Sequence, residues 1–252
     1  MTNQRHIIMP FDKWDAINLR LSVFLVPTIN FIKNITWQEI FGTEPDAESS
    51  QSKIGVMEAI REFPEKQILL KISPGRIDLI SQPNPNNILT EPLISLGNAL
   101  QAMEDFKIQT NYVLHKLESI SGTQVSRLAF GAELRIAKSD KSGVCRILNQ
   151  LLEHSVKVDE KSNDFQYSIN RRRKSTINTD LEINRLTVWN ALRYQLYINN
   201  QEIYNDNKFA CHLTLDINTV QSEKILPLSN LEAAFIELTK LGIEIAEYGD
   251  IE

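Results

Sequence analysis

Cysteine is almost missing from this sequence: Cys145 and Cys211 are the only two in 252 residues. Two thiols cannot build a disulfide framework, and they suit a reducing compartment. Glycine and proline are scarce as well, nine of each, beside 42% hydrophobic and 23% charged residues. That balance excludes a collagen-like repeat and a largely disordered chain. Long apolar runs are lacking too. The most apolar stretch, 19–32, is interrupted by Arg20, Pro27 and Asn30, and it falls short of the roughly 20 apolar residues that span a bilayer. Residues 1–14 show no charged start followed by an apolar core, so no secretory signal is expected. The expectation is a cytoplasmic protein with no membrane partner.

Positive charge is not in excess. With 27 Lys and Arg against 32 Asp and Glu, the net charge is −5, which disfavours capture of nucleic acid by the surface as a whole but leaves room for a local basic stripe. The four histidines, His6, His115, His154 and His212, are isolated from one another. Cys211 and His212 are adjacent, so on a strand they point to opposite faces. No paired Cys-x-x-Cys or His-x-x-x-His spacing occurs, and neither a Gly-x-Ser-x-Gly elbow nor a phosphate-cradling glycine loop is present. No metal ion, cofactor or catalytic residue is therefore expected.

What the sequence does have is strict alternation. Ile17, Leu19, Leu21, Val23 and Leu25 face one way, against Asn18, Arg20 and Ser22. The pattern returns at Leu128, Phe130, Ala132, Leu134 and Ile136, against Arg127, Gly131, Glu133 and Arg135, and again at Phe209, Cys211, Leu213, Leu215 and Ile217, against His212, Thr214 and Asp216. A period of two buries one face of a strand and wets the other, as in antiparallel or mixed sheets. Phe165, Tyr167 and Ile169 make a fourth case, and Leu192, Tyr194, Leu196 and Ile198 a fifth. Ser73-Pro74-Gly75-Arg76 has the chemistry of a type II turn and predicts a hairpin over 68–80. Residues 82–87 read as loop, as does the acidic, Ser-rich stretch 43–52, which is expected to be mobile.

Three helices are expected. The longest runs from a cap at Thr90 to Ile120, with Leu93, Leu96, Leu100, Met103, Phe106, Val113, Leu117 and Ile120 as its apolar stripe; that length would span about 45 Å. The second covers 140–154, with Val144, Ile147, Leu148 and Leu151 inward. The third starts at Ser229-Asn230-Leu231-Glu232, a capping box, presents Leu231, Ala234, Phe235, Leu238 and Ile245, and ends at Tyr248-Gly249. The fold class that follows is α+β: a curved, mostly antiparallel sheet packed on a few helices, among them one long central and one C-terminal helix. The chain reads as one domain over 1–252, with 155–163 as the place for any subdivision. Strand and helix patterns compete over 36–63, and the oligomeric state is left open.

Two groups of residues carry the candidate sites. Arg171, Arg172, Arg173 and Lys174 follow the fourth strand and are expected at its end or turn. There they would clamp phosphates or an acidic partner, with Arg127 and Arg135 extending the track. The plain alternative is a wet strand end paired with Asp164, Asp180 and Glu182. Trp189, Tyr194 and Tyr197 are the nearby aromatics for base stacking. Secondly, Asp78, Glu133 and Asp216 fall on expected strands. If the polar faces coincide, Arg20, Glu133, His212 and Asp216 gather with Arg127, although a solvated sheet face accounts for the same residues. His212 is read as outward and polar, Cys211 as buried and inert.

Asn184-Arg185-Leu186-Thr187-Val188-Trp189 precedes a strand ending Leu215-Asp216-Ile217-Asn218, with a single helix after it and the strand 127–136 following a long helix. In this order, over most of its length, the chain resembles a sporadically distributed family of uncharacterised bacterial proteins of similar size. That family has a second Asp where this chain has Asn218, and the resemblance carries over no catalytic residue. Patchy distribution implies a part of an accessory or mobile-element system, antiviral defence included, by analogy only. The leading expectation is a non-enzymatic binding or assembly protein with a protein partner. Beside it stand a nucleic-acid-associated subunit using 171–174, and a divergent hydrolase or nuclease built on Glu133 and Asp216.

Overall fold

The computed structural model describes residues 8–26, 35–51, 53–89, 94–120, 122–152, 156–194, 197–198, 201–202, 208–220 and 226–250. Nine strands form one open sheet in the order β2-β3-β4-β5-β1-β6-β11-β8-β7, every neighbouring pair antiparallel. In chain order they are β1 (Asp15–Leu25), β2 (Ala47–Gln51), β3 (Val56–Glu62), β4 (Lys66–Ser73), β5 (Arg76–Pro83), β6 (Val125–Lys138), β7 (Gln166–Lys174), β8 (Glu182–Tyr194) and β11 (Lys208–Thr219); β9 (Tyr197–Ile198) and β10 (Gln201–Glu202) pair only with each other. The helices are α1 (Trp37–Phe41), α2 (Ala99–Ser119), α3 (Lys141–Leu151) and α4 (Leu231–Tyr248). The protein is thus α+β, and none of the described helices is long and apolar enough to cross a membrane.

Alternation fixes which face meets the helices. Leu21 pairs with Phe130 and Phe130 with Ile217, while Leu134 pairs with Leu213, all fully buried. On this side α2 packs on β1 and β5, and α3 and α4 pack on β6, β11 and β8. Phe235 of α4 meets Phe130 and Phe106 edge-on, with ring centroids 6.0 and 6.4 Å apart. Trp14 lies 6.1 Å from Trp189 and donates Nε1–H to the carbonyl of Ala246 at 3.1 Å. Each fully buried Leu, Ile or Phe here contributes about 1.5–3 kcal/mol from apolar burial.

Local chemistry moved several boundaries. The long helix starts at Ala99, since Gly97 holds a left-handed φ of 83° and the Asn98 side chain accepts from the Leu100 and Gln101 N–H groups. Leu96 therefore lies in extended chain, donating its N–H to Ala16, and Leu100 is exposed while Ala99, Ala102 and Met103 turn inward. A helix of 21 residues spans about 30 Å; Thr90 and Leu93 lie outside the described residues. α3 begins as expected after Asp140, which accepts from Gly143 N–H at 2.6 Å. At α4 the capping box does not form, because Ser229 sits in a 3₁₀ turn and Asn230 makes no side-chain cap. Glu232 instead accepts from Asn111 at 3.1 Å.

Residues 47–51, expected as mobile loop, form the edge strand β2, exposed along its whole length and held by backbone pairing to β3. Gln82 and Pro83 finish β5 rather than opening a loop, and Pro85–Leu89 form a 3₁₀ helix. The hairpin stands as read, with Gly75 at φ 75°. The fifth alternating stretch is the end of β8 plus the separate β9, with 195–196 outside the described residues.

Candidate functional site: the polar face of the sheet

The basic run is the last four residues of the edge strand β7, at a strand end as expected, but within the strand the residues alternate between faces and do not act as one cluster. Arg171 points to the helix side, where Nε donates to Asp250 Oδ1 at 2.7 Å and Nη2 to Oδ2 at 3.2 Å; Tyr167 Oη donates to the same carboxylate at 2.7 Å. Arg173, on that side too, meets Glu244 at 3.4 Å. Arg185 of β8, opposite Arg171, is buried, and burial together with Arg173 lowers its pKa. Arg172 and Lys174 face the other way: Arg172 stands 3.5 Å from Glu182, and Lys174 is exposed. Of the acids expected to pair with the run, Glu182 does so; Asp250 and Glu244 were not foreseen.

The second group does come together. No described helix covers the face opposite α2, α3 and α4, and cross-strand register places Arg20, Gly131 and Asp216 in one row over β1, β6 and β11. Gly131 leaves room for the Arg20 side chain. A Cβ at this position would stand 3.1 Å from Arg20 Nη2 and 3.2 Å from Nε, so the guanidinium lies directly across the glycine. Arg20 Nε is buried and unpartnered. Asp216 accepts instead from Asn218 at 3.0 Å.

Two positions along, Ser22 pairs with Ala129 and Asp78, making a floor of small side chains. Ser22 Oγ donates to Asp78 Oδ1 at 2.5 Å, and Arg76 holds that carboxylate through Nε at 2.8 Å. At the end of the floor Phe24 carries a guanidinium from Arg76 and another from Arg127, each 5.0 Å from the ring centroid. Cation–π contact of this kind aims both groups; Arg76 is answered by Asp78, whereas no ion pair joins Arg127 to a described acid. Arg127 Nε, like that of Arg20, is buried and unpartnered.

Toward the other end, Arg135 is buried beside Tyr194, 5.7 Å from its ring, and opposite His212. His212 was expected to project outward, but its side chain is only 13% exposed, 3.8 Å from Glu133. Burial lowers its pKa, Arg135 adds to that, and Glu133 opposes it. Cys211 on the helix side is fully buried, which raises its thiol pKa far above the usual range and keeps it unreactive. Trp189 is core, so it is no stacking platform, and the Tyr197 side chain lies outside the described residues. Among the described residues, no three metal-ligating side chains converge.

Sequence reading missed Phe24, Arg76 and the Ser22–Asp78 pair. The available signal was Phe24 itself, an aromatic on the polar phase of an alternating strand. A larger cleft, about 430 Å³, opens on the helix side between α3 and β8. It is lined by Lys141 and Asn163, which bond to each other at 3.2 Å, and by Ala191, Arg193 and Phe209. No protein-family model matches the chain, and no curated protein is detectably similar to it in sequence.

Proposed function

We propose that this chain is a non-enzymatic binding protein that works through the polar face of its sheet, holding a partner that carries negative charge. The observation that carries this reading is the pair Arg20 and Arg127: neither has a hydrogen bond or ion pair with any described residue, in a protein where acids outnumber bases. Guanidinium groups held over a glycine floor and an aromatic ring, with no counter-ion among the described residues, are poised to receive an anion. The resemblance noted above fits a subunit of a bacterial accessory system such as antiviral defence, with the cytoplasm as its compartment.

The hydrolase reading has less support. Glu133 faces His212 and Asp216 accepts from Asn218, whereas Arg20 and Arg127 have no hydrogen-bond or ion-pair partner among the described residues. The nucleic-acid reading through 171–174 has less support, because Arg171 and Arg173 pair with Asp250 and Glu244 and leave Arg172 and Lys174 on the exposed side.

The test is photo-crosslinking in the native cell. A photoreactive residue at Asn190, on the polar face, should give a discrete adduct, and one at Ile108, exposed on α2, should not. Adducts from Ile108 alone would sink the proposal.

A further inference from the structure

We infer that the anion received by the polar face is the phosphate backbone of single-stranded nucleic acid, with Arg20 and Arg127 as its two contact stations. The inference rests on the binding role proposed above and names the ligand of that same face.

A protein partner is usually anchored by large apolar side chains in pockets. Between Asn18 and Phe24 on β1, and on β6 and β11 beside it, the large apolar outward side chain is Phe24, with two guanidinium groups on its ring; Ile80 beside Arg20 and Leu186 beside Asp216 are half-buried at the margins of this strip. The floor between the stations is Ser22, Ala129 and Gly131, too small to obstruct an extended ligand. Along its rim, Asn184 and Asn218 bond to each other at 3.1 Å and offer amide groups to sugar hydroxyls or base edges.

Arg20 and Arg127 lie at opposite ends of this floor, since Arg20 is level with Gly131 and Arg127 with Phe24, four residues further along β1. At about 3.3 Å per residue the stations are separated by roughly 13 Å. A single small anion cannot bridge that distance, but a polymer with repeating charges can. Guanidinium planes pair bidentately with phosphate and also stack on bases, so the two arginines suit a flexible single strand.

The experiment is fluorescence anisotropy of the full chain with a labelled oligothymidylate of about 15 nucleotides, beginning at low salt. Binding should weaken with salt at a log–log slope of about −1.4, the value for two phosphates on a single strand. Arg20→Gln and Arg127→Gln should each weaken it about tenfold or more. Gly131→Ala should weaken it in the same direction with no change of charge, because the added Cβ displaces the Arg20 guanidinium. Arg172→Gln with Lys174→Gln should stay within about twofold. Should a glutamine variant fail to fold, Arg20→Lys and Arg127→Lys keep the charge and lose the fork, and they should still weaken binding.

No binding at low salt would overturn the inference, as would equal losses in the edge-strand variant. An oligo-glutamate peptide that binds through Arg20 while the oligonucleotide does not would overturn the ligand and leave the binding face standing. If neither probe binds and crosslinks come only from Ile108, both proposals fall.

Discussion

Gly242 on α4 stands against the ring of Phe130 on β6, so near that a Cβ at 242 would lie 2.7 Å from Cε1. Glycine inside a helix costs about 1 kcal/mol relative to alanine, and here it lets the helix axis approach the sheet at its centre. Gly242→Val should therefore destabilise the protein by about 1–3 kcal/mol through overpacking, read as a lower urea midpoint. In a Phe130→Leu background the same substitution should cost less. Strict additivity of the two changes would show that the ring is not what the helix is fitted to.

The basic run should divide into two pairs of unlike consequence. Arg171→Gln leaves the Asp250 carboxylate, only 3% exposed, without its fork partner, and should cost about 3 kcal/mol. Arg172→Gln and Lys174→Gln, on the exposed side of the edge strand, should change stability by less than about 0.5 kcal/mol. Thermal unfolding of the three variants decides the point, and equal effects would contradict the alternation.

Glu237 ties α4 to the turn after β7. Its carboxylate accepts from Ser175 Oγ at 2.5 Å, from Thr176 N–H at 2.6 Å and from Thr176 Oγ1 at 2.7 Å. Burial alone would raise its pKa, but these hydrogen bonds and Arg173 outweigh burial and hold it below the ordinary 4.5. The unfolded chain then takes up the proton first as pH falls. Stability from this carboxylate is present above pH 4.5 and is lost as pH drops through the lower folded value. Glu237→Gln should be less stable at neutral pH and show a flatter acid limb in urea titrations.

His212 acts in a different window. Its folded pKa lies below 6.5, so the unfolded state again binds the proton more readily, and stability should decline as pH falls below about 6.5. His212→Gln should remove that slope while leaving the Glu237 limb in place. A wild-type urea midpoint that does not change between pH 7 and the acid limb would refute the burial of this imidazole.

Much of the sheet was legible in the residues. Wherever one face is apolar and the other polar, as in β1, β6 and β11, the period of two identifies strand, face and even neighbours, because only one register buries every apolar side chain. β8 was harder to read: its inward positions include Arg185 and Thr187, buried polar residues that break the apolar pattern. β2 was illegible for the opposite reason. Ala47–Gln51 bury nothing, and backbone bonds to β3 alone make them a strand.

Local period and turn chemistry sufficed for the α+β class, for the hairpin at Gly75 and for the inward set of the three central strands apart from Ile17, which the bulge between Ala16 and Asn18 puts out of phase; the co-facing of Arg20, Glu133, His212 and Asp216 came with the strand pairing. Only the tertiary structure decided which charges are answered. Asp250 lies 79 residues from Arg171 and satisfies it, while Arg20 lies across Gly131 with no ion pair to any described acid. Charge pairing depends on distances of a few ångströms between strands remote in sequence, and no pattern along one chain encodes those distances.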